Sequence, residues 1–178
     1  MSSRKIIVLD TSAFVAGFNP SAVDYDMYSV PEVKYELVKT GLLIVRFQAA
    51  VEARKLKVQT PDAYHVEAVR KASKETGDIL YLSEADILVL ALAAQLQDEG
   101  LVPTVVTDDY SMQNVAAKMS VNFTSLATFG IRYHLQWLIY CPACRRKYPS
   151  DYKQKDCEVC GTRLKRKPQT KSPTYEPV

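Results

Sequence analysis

A parallel α/β sheet covered by helices, followed by a small cysteine-rich module, is the fold class that the sequence predicts. Three observations carry it. Short apolar runs of strand length alternate with helical segments up to about residue 127. All four cysteines fall within the last 40 residues. The charge divides at the same place: residues 1–130 hold 12 Lys+Arg against 16 Asp+Glu, a net of −4, and residues 131–178 hold 11 against 4, a net of +7. A chain of 178 residues that is 47% hydrophobic can bury one ordinary core and carry one small attachment.

Each element follows from its local pattern. Lys5 to Leu9 is continuously apolar after its first residue, as a strand buried on both faces would be. "TSAFVAGF" starts helically and stops at Gly17, Asn19 and Pro20; "NPSAVDYDMYS" reads as a polar loop. Ser29 can cap a helix with Pro31 in its first turn, "SVPEVKYELVKTG", closed by Gly41. "LLIVRFQAAVEARK" has helical spacing, "LKVQTP" is a second strand, and "DAYHVEAVRKASKETG" is a helix closed by Gly77. "SEADILVLALAAQLQDEG" is apolar almost all round and should be a buried helix. "LVPTVVTDD" contains a third strand, "YSMQNVAAKM" a helix and "VNFTSL" a fourth strand.

The character changes near Phe129–Tyr133, where "IRYHLQWLIY" is aromatic and extended. These patterns divide the chain into a main domain, 1–130, a cysteine module with its lead-in, 131–167, and a proline-bearing tail, 168–178, whose composition predicts disorder. The N-terminal apolar run is too short for a signal peptide. The longest apolar stretch, Ile87 to Ala94, has 8 residues, too few for a membrane span. A cytoplasmic protein without a membrane partner is expected.

Cys141, Cys144, Cys157 and Cys160 spell C-x2-C, twelve residues, C-x2-C. Each pair can face one ion, and a twelve-residue hairpin brings the pairs together around Zn²⁺. Four thiolates leave no open position, so such a zinc is structural, and it supplies the folding energy that a module this small lacks. Two disulfides are the alternative, disfavoured inside a cell. Arg145, Arg146, Lys147, Tyr148, Lys153, Lys155, Arg163, Lys165 and Arg166 give the module a basic, aromatic-bearing surface suited to RNA; a solvated basic hairpin is the plainer account.

A second constellation is acidic. In a parallel sheet, crossover helices begin where strands end, and ligands bind at that edge. Asp10 ends the first strand, Asp108 and Asp109 end the third, and Asp86 opens the buried helix. Glu36 lies about 7–8 Å into its helix and can still reach the edge. Each acid has a local explanation: Asp10-Thr11-Ser12 as a capping cluster, Ser83 and Asp86 as a capping box, Asp108 or Asp109 as a cap. Capping does not explain why all fall on one edge. Clustered carboxylates repel unless a cation neutralises them, and hard oxygen donors select Mg²⁺ or Mn²⁺. His65 and His134, the only histidines, lie outside this set, and no GxGxxG or P-loop occurs.

"VLDTSAF", "VPEVKYEL", "SEADILVLALA" and "VVTDDYSMQN" resemble, in that order, the motifs of PIN-domain ribonucleases. With the cysteine module, the chain is similar to the PIN endoribonucleases of archaea and eukaryotes that mature the 3′ end of small-subunit ribosomal RNA. The resemblance implies a three-layer PIN fold with a zinc ribbon. It implies Mg²⁺- or Mn²⁺-dependent hydrolysis of single-stranded precursor rRNA, leaving a 3′ hydroxyl, within a pre-ribosomal particle. It assigns catalysis and metal binding to Asp10, Glu36, Asp86 and an aspartate of the "TDD" segment. Asp109 matches the family pattern, while Asp108 stands at the strand end. Thr11, Ser12, Thr107 and Asn114 would orient ligands or substrate. A toxin-type PIN ribonuclease and a non-catalytic RNA-binding assembly factor are the competing readings.

Overall fold

A computed structural model describes residues 5–20, 23, 25–39, 41–126, 133–149 and 151–173. The main domain runs β1 (Lys5–Leu9), α1 (Thr11–Val15), β2 (Asp26–Ser29), α2 (Pro31–Val38), α3 (Leu42–Glu52), β3 (Leu56–Val58), α4 (Ala63–Thr76), α5 (Glu84–Asp98), β4 (Val102–Val106), α6 (Tyr110–Lys118) and β5 (Asn122–Thr124). The five strands form one parallel sheet in the order β3-β2-β1-β4-β5. The chain winds outward from β1 to β3, returns, and winds the other way from β4 to β5. The switch of direction therefore lies between β1 and β4, where Leu9 stands beside Val106. At such a point the connections diverge and leave a crevice beyond the strand ends.

Helix α5 is the central helix of the core. Ten of its fifteen residues are buried, as its all-round apolar sequence requires. The first turn of α4 meets the last turns of α5, through His65 to Asp98 at 3.1 Å and the Asp62 N–H to Gln95 at 2.9 Å. The two helices are thus antiparallel, and α4 does not begin at the crevice. Its C-terminal end turns through Gly77, in the left-handed region at φ 82°, and delivers the chain to α5 at the crevice side.

Three local expectations fail. The segment expected to be a polar loop contains β2. Its burial alternates, with Met27 and Ser29 inside and Asp26 and Tyr28 half-exposed, and β1 and β3 supply its ladder. A strand flanked by two others needs little apolar sequence of its own, because its neighbours satisfy its backbone. Ser29 is therefore not a helix cap: its hydroxyl donates to the Leu9 carbonyl at 2.8 Å, and Val30 precedes α2 without a side-chain cap. Gly41 likewise does not close α2, which ends at Val38, but opens α3 at φ 67°.

The C-terminal module is a three-stranded antiparallel sheet in the order β7-β6-β8, with β6 Tyr133–Tyr140, β7 Lys147–Tyr148 and β8 Lys165–Pro173. The expected disordered tail is a strand as far as Pro173, paired with β6 along its length except at an irregularity between Gln136 and Trp137. β8 is an edge strand, which tolerates proline because one row of its N–H groups needs no partner. Residues 174–178 lie outside the described residues, as does most of the expected boundary at 129–133. The module packs a small core of Ile139, Cys141, Tyr148 and Cys157 with Tyr152 and Leu164, and β6 rests on α4 and α6. Among the described residues no helix is long and apolar enough to cross a membrane.

Candidate active site

Asp10 leaves β1 at the switch point, and its N–H reaches the Val106 carbonyl of β4 at 3.4 Å. It is 3% exposed. One carboxylate oxygen, Oδ2, accepts from Ser12 Oγ at 2.8 Å, Thr107 Oγ1 at 3.0 Å and the Ser12 N–H at 3.3 Å. Asp10 itself is therefore the cap of α1, rather than Thr11 or Ser12. The other oxygen, Oδ1, is buried without a hydrogen-bond partner. Burial pushes the Asp10 carboxyl above its ordinary value, against the pull of its hydrogen bonds to Ser12 and Thr107.

Asp86 opens α5 in a complete capping box: the Ser83 N–H donates to its carboxylate at 2.7 Å, and its own N–H donates to Ser83 Oγ at 3.1 Å. Burial raises it from 3.8 to about 6 against the Ser83 backbone bond, with the charges of Asp10 and Asp109 adding to the rise. Asp86 thus senses carboxylates from two other segments. Glu36, half-buried on α2, accepts a hydrogen bond from Thr11 Oγ1, which ties it to the residue after Asp10.

The two aspartates after β4 part company. Asp109 caps α6 by accepting from the N–H groups of Ser111 at 2.6 Å and Met112 at 3.2 Å, and its charge is felt at Asp86. The Asp108 carboxylate instead accepts from Ser125 Oγ and from the Leu126 N–H at 3.1 Å, beyond β5. The turn between them is held by Thr107, whose Oγ1 accepts from the Asp109 N–H at 3.1 Å, and by Ser12 Oγ, which accepts from the Asp108 N–H at 3.1 Å. Fully buried Gln113 donates to the Thr107 carbonyl at 2.9 Å. Asn114 is 2% exposed and donates to Asp78 at 2.6 Å, so it ties α6 to the α4–α5 turn.

Glu32 was not singled out by its sequence position, yet its Oε2 is the second buried side-chain oxygen without a partner among the described residues. It precedes Glu36 by four residues on α2, so the two acids share one helix face. The i,i+4 spacing in "PEVKYE" was the available signal.

The donor set suits a hard divalent cation. It is all oxygen, it contains a buried unsatisfied acceptor, and burial with the added charges of Asp10 and Asp109 raises Asp86. The acids do not draw as close as the thiols do. Among the described residues only Cys141, Cys144, Cys157 and Cys160 bring three or more such ligand atoms all within 4.8 Å of one another. The pairs Cys141–Cys160 and Cys144–Cys157 stand at 3.4 and 3.5 Å, near the roughly 3.8 Å that a tetrahedral shell of 2.3 Å bonds would need. All four thiols are free. The Tyr148 hydroxyl, 2.9 Å from Cys157 Sγ, holds that thiol down at about 6.

On the basic surface the expectation divides. Arg145, Arg146, Lys147, Lys153, Lys155, Arg163 and Lys165 are exposed, with Arg146 3.4 Å from Glu158. Tyr148 is no stacking platform for a base: it is 5% exposed and packs on Tyr152, with ring centroids 4.5 Å apart. Arg166 is not a free cation for RNA either. It pairs with fully buried Asp78 at 3.1 Å and lies 3.6 Å over the Tyr81 ring.

A family model described as the PIN domain of ribonuclease matches residues 7–96. The endoribonuclease Nob1 of Methanothermobacter thermautotrophicus is 39% identical over 160 residues, covering 90% of this chain and 91% of that protein. The endoribonuclease Nob1 of Methanocaldococcus jannaschii is 36% identical over 163 residues, covering 92% and 78%. Ribonuclease VapC1 of Thermoplasma acidophilum is 33% identical over 161 residues, covering 90% and 77%. The motif order, the sheet with its switch point beside Asp10, and these matches agree: the chain belongs to the PIN-domain ribonuclease family.

Proposed function

We propose that this chain is a divalent-cation-dependent endoribonuclease that cuts single-stranded precursor small-subunit rRNA near its mature 3′ end, as part of a pre-ribosomal particle in the cytoplasm. The observation that carries the cation dependence is the buried, unpartnered Asp10 Oδ1 at the switch point, beside an Asp86 raised to about 6. Asp10, Asp86 and Asp109 would hold Mg²⁺ or Mn²⁺, with Glu36 completing the set from α2. A cation bound there supplies Lewis-acid stabilisation to the charge that develops on a phosphodiester. The chain's own residues do the rest. Thr107 and Ser12 hold one oxygen of Asp10 and leave the other without a partner, Thr11 orients Glu36, and the Ser83 box orients Asp86. Asp108, engaged by Ser125 and Leu126, shapes the rim of the site and is the weaker candidate for a ligand.

The cysteine module is read as a zinc ribbon, its Zn²⁺ structural. Its exposed basic residues, Arg145, Arg146, Lys147, Lys153, Lys155, Arg163 and Lys165, would grip the RNA backbone. This division fits the charge split, since a net-negative domain binds a polyanion poorly without a cation and a basic neighbour. The rRNA assignment is supported by the similarity to the Nob1 endoribonucleases along nearly the whole chain, ribbon included. VapC1 matches a similar length of this chain at lower identity, 33% against 39% and 36%, which supports the rRNA reading over a toxin-type ribonuclease.

The test is cleavage of an RNA spanning the mature 3′ end, with Mg²⁺ or Mn²⁺ added. Wild type should cut it once, and Asp10→Asn should lose cutting by at least about a hundredfold while remaining folded. Wild-type protein that binds this RNA but cuts nothing with any divalent cation would establish an assembly factor instead. Equal cleavage of unrelated RNAs would remove the rRNA assignment.

A further inference from the structure

The contact between ribbon and nuclease domain is built around a buried charge. Asp78 sits in the α4–α5 turn with no exposed surface. Its carboxylate accepts from Asn114 Nδ2 at 2.6 Å and from Arg166 of β8 at 3.1 Å, and it also engages the side chains of Thr76 and Ser111. The Arg166 guanidinium stacks 3.6 Å over Tyr81, three residues along the same turn, and the Tyr81 N–H donates to the Asp78 carbonyl at 2.8 Å. One arginine from the ribbon therefore clamps both ends of a single turn.

That turn touches both halves of the acidic site. In one direction it runs two residues beyond Tyr81 to Ser83, whose backbone N–H holds the Asp86 carboxylate. In the other, Asp78 binds Ser111 and Asn114 on α6, and the Ser111 N–H is the 2.6 Å donor to Asp109. Asp78 is thus linked to Asp109 through Ser111 and to Asp86 through the turn and Ser83. A buried carboxylate deprived of the arginine that pairs with it must be rehydrated or protonated, and either change moves the turn.

We propose that Arg166 is a positioning residue of the nuclease centre. By neutralising Asp78 and capping Tyr81, the ribbon sets the separation of Asp86 and Asp109 and so the geometry in which a cation and the scissile phosphate are held. The ribbon then acts on the cut itself, besides any grip on RNA. This rests on the cation-dependent nuclease reading above.

The experiment uses the full chain with its zinc and two readouts. One is steady-state cleavage of a short single-stranded RNA spanning the mature 3′ end, and the other is Mn²⁺ affinity by titration without RNA. Arg166→Ala should lower kcat by on the order of tenfold to a hundredfold with KM little changed, and weaken Mn²⁺ binding to a similar degree. Arg166→Lys, which keeps the charge but not the planar stack on Tyr81, should recover part of both. Arg163→Ala, an exposed cation on the same ribbon, should raise KM and leave kcat and Mn²⁺ affinity alone. If Arg166→Ala does not fold, Tyr81→Leu removes the stack without stripping Asp78 of its partner and should move the same two readouts. A folded Arg166→Ala protein with wild-type kcat and wild-type Mn²⁺ affinity overturns the proposal, whether or not its KM rises. Failure of the wild type to cut would sink the nuclease reading, and the Mn²⁺ titration would still decide this one.

Discussion

Replacing Asp86 with asparagine should stabilise the protein when divalent cations are absent from the acidic site, while abolishing cleavage. Burial and the charges of Asp10 and Asp109 raise the Asp86 carboxyl from 3.8 to about 6. At ~1.36 kcal/mol per pH unit, keeping it ionised near neutral pH costs about 3 kcal/mol. Asp86 is half-buried, so solvent screening brings this to about 1–2 kcal/mol. Asparagine keeps the capping bond, because its amide oxygen can accept from the Ser83 N–H as the carboxylate does. It forfeits a charge at a helix N-terminus, worth about 0.3–1 kcal/mol. The net gain is about 1 kcal/mol, or about 2–4 °C in Tm for a chain of this size. The sign follows from proton binding: between pH 3.8 and about 6 the folded state holds more protons than the unfolded one, so wild-type stability falls as pH rises through that window. The variant lacks this fall. Thermal melts of both proteins in resin-treated buffer, with the ribbon's zinc retained, should diverge across the window and converge towards its acid end. Added Mn²⁺ should then raise the wild-type Tm more than the variant's. A variant that melts below wild type at neutral pH, or a gap that does not change with pH, would refute the reasoning that burial and neighbouring charge make the ionised Asp86 costly.

Two further outcomes are expected. Cys157→Ser should lose about one zinc per chain by elemental analysis, because three thiolates and a hydroxyl no longer complete the shell; it should also weaken RNA binding while β1 to β5 stay folded, and retained zinc would sink the four-cysteine assignment. His65 bridges Asp62 at 2.8 Å and Asp98 at 3.1 Å. Burial alone would lower its pKa, but the two hydrogen bonds and charges outweigh that and raise it above 6.5. Its contribution is complete below pH 6.5 and is lost as pH rises through the folded-state value. His65→Gln should flatten that alkaline leg of the Tm profile and leave the acid leg due to Asp86 intact; an unchanged alkaline leg would exclude His65 as its source.

The acids differ in how legible they are. Asp10, Asp86 and Asp109 could be placed on one edge because each lies within a residue or two of a strand or helix end, and crossover geometry maps those ends onto one side. Which of Asp108 and Asp109 lies where its charge reaches Asp86 is not legible from the "TDD" spacing. The two carboxylates are parted by Ser125, Leu126 and Asp86, which approach from other segments. The burial of Tyr148 and the pairing of Arg166 with Asp78 are illegible for a related reason. A basic or aromatic residue near a cysteine knuckle looks exposed until its partners are known, and those partners include Asp78, 88 residues away from Arg166.

By itself the sequence determined what short-range physics governs. Apolar runs of strand length, helical periodicity, glycine turns, the Ser83 capping box and paired cysteines each complete their logic within a few residues. Only the tertiary structure decided the rest. β2 is a strand because β1 and β3 flank it, and β8 is one because β6 offers it a ladder. Asp10 is buried with one oxygen bound and one bare because Thr107, 97 residues on, reaches it across the switch point. Ladder partners, desolvation and like-charge repulsion depend on which distant segments become neighbours, and no local pattern encodes that.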